Sequence, residues 1–447
     1  MKISNRRGLG FGAAAFVSCG LFFAGFVSCA RTESRPEAAP AARIVLSDTI
    51  SELELKAANV VPSARQAAWQ ALEFQAFFHF GVNTFTDREW GTGKEDPAVF
   101  DPTDFDAGQW IAAVKAAGIR GVIITAKHHD GFCLWPSRFT EHSVKNSPWR
   151  GGRGDIVREV ADACRAAGLK FGVYLSPWDR HEAGYGDSPR YNEHFKSQLR
   201  ELLTGYGEIS EVWFDGACGE GPNGKRQVYD WEGYWKLIRE LQPGAVISIM
   251  GPDVRWIGNE AGVTRESEWS VIPIVGFEDA PDALNPGGIA HLDAQAGDLG
   301  SFGRIAEAAR RGGRLLWYPG QVDVSIRPGW FYHAAEDDKV KPLDQLLNIY
   351  DTSVGGNAQL LLNIPPDRRG RLHENDVLRL KELGDALRAT FAVNLAAGAK
   401  LSPAVEIGLD GIYEGILQGA KTVNVAMIQE DIRRGQRIES FALDAWD

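Results

Sequence analysis

A helical stripe that stops at a glycine and gives way at once to an apolar, β-branched run occurs twice here, and that repeat constrains the fold most. Residues 109–128 (QWIAAVKAAGIRGVIITAKH) place Trp110, Ala113, Val114 and Ala117 on one helical stripe; Gly118 ends the helix and a strand-like run follows. Residues 156–177 repeat the plan, with Val157, Val160 and Cys164 on the stripe, Ala166-Ala167-Gly168 as the stop and Phe171-Gly172-Val173-Tyr174-Leu175 as the strand. Near-continuous apolar strands covered by helices belong to buried parallel sheets. Further strands are predicted near 75–83, 210–216, 245–250, 313–318 and 357–364, with helices near 190–204, 230–241, 303–311, 341–352 and 373–388. The loop-rich stretch 252–300 receives no strand. Seven or eight such units predict an α/β chain built on a (β/α)8-like TIM barrel over residues 61–390, rather than a doubly wound sheet. No Gly-rich phosphate loop follows any strand.

The flanks read differently. Residues 1–29 have the build of an export signal: Lys2, Arg6 and Arg7, an apolar stretch from Leu9 to Val27, then Phe26-Val27-Ser28-Cys29-Ala30. This resembles a lipoprotein signal, so an exported protein is expected, at the periplasm or cell surface, with membrane contact only through a lipid on Cys29. Residues 30–60, opening on a stretch rich in Glu, Pro, Ala and Arg, read as a tether. Residues 391–447 change to short alternating runs, such as 422–428 and 438–443, which predict a short, incomplete antiparallel β-sandwich module.

Composition narrows the partner. The chain has 59 Asp and Glu against 48 Lys and Arg, a formal charge of -11, which argues against nucleic acid and for a neutral ligand. Fourteen Trp offer flat apolar faces that suit sugar C–H faces as well as cores. Cys133, Cys164 and Cys218 are too few and too scattered for a disulfide framework or a metal motif.

In a barrel of this kind the chemistry sits at the C-terminal ends of the strands. The apolar runs end in Phe78-His79-Phe80-Gly81, Lys127-His128-His129-Asp130-Gly131-Phe132, Tyr174, and Trp213-Phe214-Asp215-Gly216, all groups that can bond or stack against a polyol. Asp215 ends a hydrophobic run before a flexible glycine, awkward as core and sensible as a nucleophile; the alternative is a helix N-cap. Neighbouring residues on a regular strand point to opposite faces, so His128 and His129 are not expected to chelate one ion, and neither metal nor cofactor is expected. A retaining glycosidase needs a second, protonated carboxyl close to the nucleophile, kept neutral by burial. Glu260, Glu266 and Glu268 are the candidates, and composition separates them only weakly.

Taken together in order, these boxes resemble the glycoside hydrolase family 29 α-L-fucosidases, from about Trp69 to Asp447. The resemblance rests on Phe78–Gly81, Glu89-Trp90-Gly91, Ala126–Phe132, Tyr174–Trp178, Glu211–Gly216 and Leu361-Leu362-Asn363. It implies Asp215 as nucleophile and a fucose pocket lined by His79, Glu89, Trp90, His128, His129, Tyr174 and Trp213. The box Arg255–Gly262 is similar to the subgroup preferring α-1,3 and α-1,4 linkages, which implies Glu260 as acid/base and Arg255 as a substrate contact. Val324–His333 resembles the same subgroup and implies that Trp330 and Tyr332 meet the aglycone. The implied partner is a fucosylated glycan. A barrel glycosidase for another sugar such as galactose, or a surface glycan-binding lipoprotein without catalysis, are the alternatives.

Overall fold

The computed structural model describes residues 39–275 and 298–397, the backbone of 402–407 and 410–414, and residues 422–423, 425–438 and 442. The expected signal, Cys29 and the start of the tether lie outside the described residues. The rest of that tether is folded, contrary to expectation. β1 (Ala41–Ile44) is a strand, and helix Ile50–Ala58 opens with a capping box between Thr49 and Glu52. Ile44, Leu53 and Val60 bury themselves against Leu315 and Trp317, which fixes a segment that its composition alone makes look loose.

Eight parallel strands then form the barrel: β2 (Phe74–Phe78), β3 (Gly121–Lys127), β4 (Lys170–Leu175), β5 (Glu211–Phe214), β6 (Val246–Ile249), β7 (Arg255–Trp256), β10 (Gly320–Ser325) and β11 (Gln359–Asn363). Each pairs with the next in chain order, β11 returns to β2, and a parallel bridge from Ser248 to Val254 joins β6 to β7. Only residues 250–254 link those last two strands, in place of the usual helix. Ile249 takes a left-handed conformation (φ 68°) to make that turn, an uncommon demand on a β-branched residue. Asp253 secures it by accepting the Ile247 N–H at 2.8 Å and pairing with Arg65 and Arg239.

The strand expected at 313–318 exists but joins another sheet. β9 (Gly313–Trp317) lies between β1 and β8 (Val271–Val275) in an antiparallel three-stranded layer packed by helix Phe302–Arg310. The seventh barrel strand is β10, just beyond it, because an apolar run does not declare which sheet it will enter. Toward the C-terminus β12 (Ser402–Ile407) and β13 (Asp410–Glu414) form a hairpin. The described part of the predicted strand 422–428 carries no ladder, and Val423, Val425 and Met427 are exposed. Most of 438–443 lies outside the described residues.

Alternation along the strands decides what fills the barrel. Glu211, Trp213 and Asp215 succeed one another inward from β5, as do Gln75, Phe77 and His79 from β2. The deepest layer is polar. Glu211 is fully buried and accepts bonds from Trp69 Nε1 (2.7 Å), Gln75 Nε2 (2.6 Å), Ser248 Oγ (2.5 Å) and Gln321 Nε2 (3.0 Å). Above it Phe77, Tyr174 and Trp213 pack with ring centroids 5.2–5.8 Å apart. Trp213 also donates to Gln321 Oε1 at 2.9 Å, tying β5 to β10 across the interior.

A second buried network braces β3 from outside the ring. Lys127 donates to Asp179 Oδ2 at 2.8 Å and Gln198 Oε1 at 3.0 Å with no solvent exposure. Burial alone would raise the Asp179 carboxyl, yet Lys127 and the amides of Glu182 and His181 hold it down to about 2. Replacing Lys127 with Met therefore leaves an uncompensated buried charge. The expected loss is about 3–5 kcal/mol in urea unfolding; a loss under about 1 kcal/mol would contradict this account of the network.

Candidate active site

The nucleophile candidate sits where β5 runs out. Asp215 Oδ1 accepts the Ala217 N–H at 2.7 Å and Oδ2 accepts the Tyr174 phenol at 3.0 Å, so the carboxylate is aimed by one bond to each oxygen. The next helix starts at Trp231 and is capped by Asp230, so Asp215 is not an N-cap. Burial, then the nearby Asp215 charge, pushes the Tyr174 phenol well above its ordinary range and keeps it a donor.

His128 and His129 share this site, against the expectation that they face opposite ways. β3 ends at Lys127, and its register slips between Thr125 and Lys127, so strand alternation no longer governs them. Their rings lie 4.1 Å apart; His128 stacks on Tyr174, and His129 Nε2 is 3.7 Å from Asp215 Oδ2. Ligand atoms of His128, His129 and Asp215 all fall within 4.8 Å of one another, the arrangement among the described residues that could hold a cation. A cation there would occupy the carboxylate that Tyr174 orients.

Hydrogen-bond partners fix two tautomers. Ser176 Oγ donates to the Trp178 carbonyl at 2.6 Å, so it must accept from His129 Nδ1 at 2.7 Å. Asn363 donates its amide to the Trp330 carbonyl and to Ser325 Oγ, so its Oδ1 accepts from His79 Nδ1 at 2.8 Å. Each imidazole is thus left with a bare Nε2, an acceptor suited to a sugar hydroxyl. Burial is the main reason all three rings stay neutral: it brings His79 down to about 3, and lowers His128, next to its two histidine neighbours, and His129, against the pull of Asp215.

The other expected residues divide. Trp90 is 52% exposed and meets His129 and Trp178 edge-on, forming one rim. Trp330 forms the opposite rim: it lies 5.2 Å from the His79 ring and donates Nε1 to Glu260 Oε2 at 3.3 Å. Glu89 does not stand free; its oxygens accept the Trp330 and Phe331 amides and His333 Nε2. Arg255 is not at the site. In β7 it is Trp256 that faces inward, so Arg255 points to the antiparallel layer and binds Glu268 and the carbonyls of Tyr318 and Trp269. Glu268 is held there with it, paired to Arg255 and Arg265. Tyr332 is buried against Arg327 and bonded to Asp337, in the core and not at the aglycone.

Glu260 itself is exposed. The buried carboxyl beside these groups is Asp323, an inward residue of β10. Desolvation pushes it up to about 7 against the Trp256 Nε1 bond (2.7 Å), and the charges of Glu260 and Asp215 add to the effect. Both proposed catalytic carboxylates therefore act on one buried group. Asp323 lies on a strand that the apolar pattern does not place in the barrel; its signal in the sequence is the alternation Gln321, Asp323, Ser325.

These shifts have a pH consequence. An unfolded histidine takes up a proton near pH 6.5, whereas folded His79 does so near 3. Its contribution to stability is complete above pH 6.5 and is lost as pH falls toward 3. Asp130 and Asp323, both raised to about 7 mainly by burial, have the opposite sign, favouring the fold as pH falls below 7. Comparing wild type with His79→Gln isolates the histidine: the variant should lose roughly 2–3 kcal/mol less stability between pH 7 and pH 4, measured by urea titration. Equal losses would contradict the neutral, buried assignment.

Known proteins resemble this chain in sequence and in fold. A sequence profile of the family Alpha-L-fucosidase matches residues 51–260 and 307–390. Alpha-L-fucosidase 1 of Arabidopsis thaliana is 43% identical over 412 residues, 86% of this chain and 76% of that protein. A Bacteroides ovatus crystal structure, described as a candidate alpha-L-fucosidase, superposes with a TM-score of 0.76 at 54% identity over 81% of this chain. A Ruminococcus gnavus GH29 fucosidase in complex with fucose superposes with a TM-score of 0.63 at 33% identity, over 77% of this chain and 71% of its own. The chain spans 62% of the Bacteroides ovatus chain and 60% of that of a rumen bacterial glycoside hydrolase 29 family member. With its barrel, its ordered motifs and these matches, the chain belongs to the alpha-L-fucosidase family of glycoside hydrolases.

Proposed function

We propose that this protein is a retaining exo-α-L-fucosidase that removes terminal α-L-fucose from oligosaccharides or glycoconjugates. The observation that carries the reading is Asp215: a carboxylate held at the mouth of a parallel barrel by Tyr174 and the Ala217 amide, beside neutral histidines that offer bare nitrogens. In the proposed cycle Asp215 attacks C1 while Glu260 protonates the departing oxygen. Glu260 then takes a proton from the water that releases fucose with retained configuration. His79 and His129 accept hydroxyl hydrogens, while Trp90 and Trp330 border the opening. A sugar of different stereochemistry leaves such buried acceptors unpaired, which is how the pocket would discriminate.

The α-1,3/1,4 preference rests on the Arg255–Gly262 and Val324–His333 boxes, and export on residues 1–29. A second reading of the proton donor has its own support, since Asp323 rather than Glu260 is the buried carboxyl raised to about 7. Three variants test these readings. Asp215→Asn should fold normally and lose at least about 10³-fold in turnover of an aryl α-L-fucoside. Glu260→Ala should be nearly as impaired on fucosyl disaccharides, and its turnover of an aryl α-L-fucoside whose leaving group departs without a proton should be partly rescued by azide. Full activity in Asp215→Asn would end the proposal; azide rescue in Asp323→Ala but not in Glu260→Ala would transfer the acid/base role. An aryl β-galactoside or α-galactoside turned over faster than the fucoside would favour a different sugar.

A further inference from the structure

We infer that Glu89 and His333 form a strut that positions Glu260 by way of Trp330, an inference that rests on Glu260 being the acid/base. Glu89 Oε2 accepts the Trp330 amide at 2.8 Å, and Oε1 accepts the Phe331 amide at 3.1 Å and His333 Nε2 at 2.7 Å. His333 Nδ1 meets Asp87 Oδ1 at 2.8 Å. A carboxylate can only accept here, so both ring nitrogens carry hydrogen and His333 is an imidazolium clamped between two acids. The clamp needs Gly329, where a Cβ would stand 2.7 Å from Glu89 Oε1 and 2.9 Å from the His333 ring.

The other side of the loop is held independently. Asn363 donates to the Trp330 carbonyl at 2.8 Å, and Ser325 Oγ to the Gly329 carbonyl at 2.7 Å. Trp330 therefore has its amide fixed by Glu89 and its carbonyl by Asn363, which leaves the indole a defined direction. That direction ends on Glu260 Oε2 at 3.3 Å. Glu260 is exposed, on a loop that turns at Gly258 and Gly262 (φ 103° and 82°) and is tied by Thr352 Oγ1 donating to the Gly262 carbonyl at 3.1 Å; the Trp330 indole bonds its carboxylate to a second loop. Neither Glu89 nor His333 then needs to touch the reacting atoms to affect proton donation. They act as positioning residues, and Glu89 does so beside any contact it makes with the sugar.

The test is leaving-group dependence, because only substrates with poor leaving groups need a well-placed acid. kcat/KM of the full chain is measured over aryl α-L-fucosides, from nitrophenols of low pKa to alkylphenols of high pKa. His333→Ala is expected to lose about tenfold on the poorest leaving group and less than about twofold on the best. His333→Gln, which can still donate to one carboxylate, should fall between. Trp330→Phe, which removes only the indole N–H and ring bulk, should show the same skew, and combining it with His333→Ala should add little. Equal loss on every substrate, or none, in His333→Ala would mean a structural role only and overturn the strut. If that variant does not fold, absence of the skew in Trp330→Phe overturns it equally. Glu260→Ala serves as the reference: if it leaves the dependence flat, the acid/base reading falls and the strut with it, whereas a skew there without one in His333→Ala defeats the strut alone.

Discussion

One buried carboxylate organises the barrel. Glu211 enters from β5 at the closed end and takes hydrogen bonds from Gln75 on β2, Ser248 on β6, Gln321 on β10 and Trp69 on the helix Ala64–Gln70 that leads into β2. An unpaired carboxyl at that depth costs several kcal/mol, so the four donors are tied to it and to one another. Because side chains alternate, fixing Glu211 inward fixes Trp213 inward too, and Asp215 follows directly where β5 ends. The floor of the barrel and the place from which Asp215 projects thus both depend on one strand's register.

From that floor upward the interior changes character in steps. A polar layer gives way to the aromatic layer of Phe77, Tyr174 and Trp213, and this to the histidines and carboxylates of the mouth. The aromatic layer excludes water beneath the site, and the same burial keeps the histidines neutral. Neutral rings with their Nδ1 hydrogens committed to Asn363 and Ser176 can accept from hydroxyls without competing for the charge of Asp215. Rigidity is graded across the mouth: Asp215 is bonded at both oxygens, whereas Glu260 is exposed and steadied by the Trp330 loop.

Much of this was legible in the sequence, and the misses share one cause. Repeated helix stops at Gly118 and Gly168 announced the parallel barrel, and the polar ends of its apolar runs located His79, His128, His129, Tyr174 and Asp215. Strand-end residues can be read because the change from apolar to polar is local. Which sheet a strand joins is not local, so Gly313–Trp317 was expected in the barrel that β10 completes, and Asp323 was overlooked with it. Facing is also lost where a strand is short or has ended: two-residue β7 turns Arg255 out and Trp256 in, and the slip at the end of β3 brings both histidines to one side. The folded part of the tether depends on Leu315 and Trp317, far away in sequence.

The central claim is that Asp215 forms a covalent bond to the anomeric carbon. A 2-deoxy-2-fluoro-α-L-fucosyl substrate with a fluoride leaving group slows both steps but departs fast enough to trap such an intermediate, which peptide mass spectrometry can locate after digestion. The account predicts one fucosyl adduct, on the peptide containing Trp213-Phe214-Asp215-Gly216 and on Asp215 itself. An adduct on another carboxyl, or turnover that yields inverted product with no adduct, would contradict it.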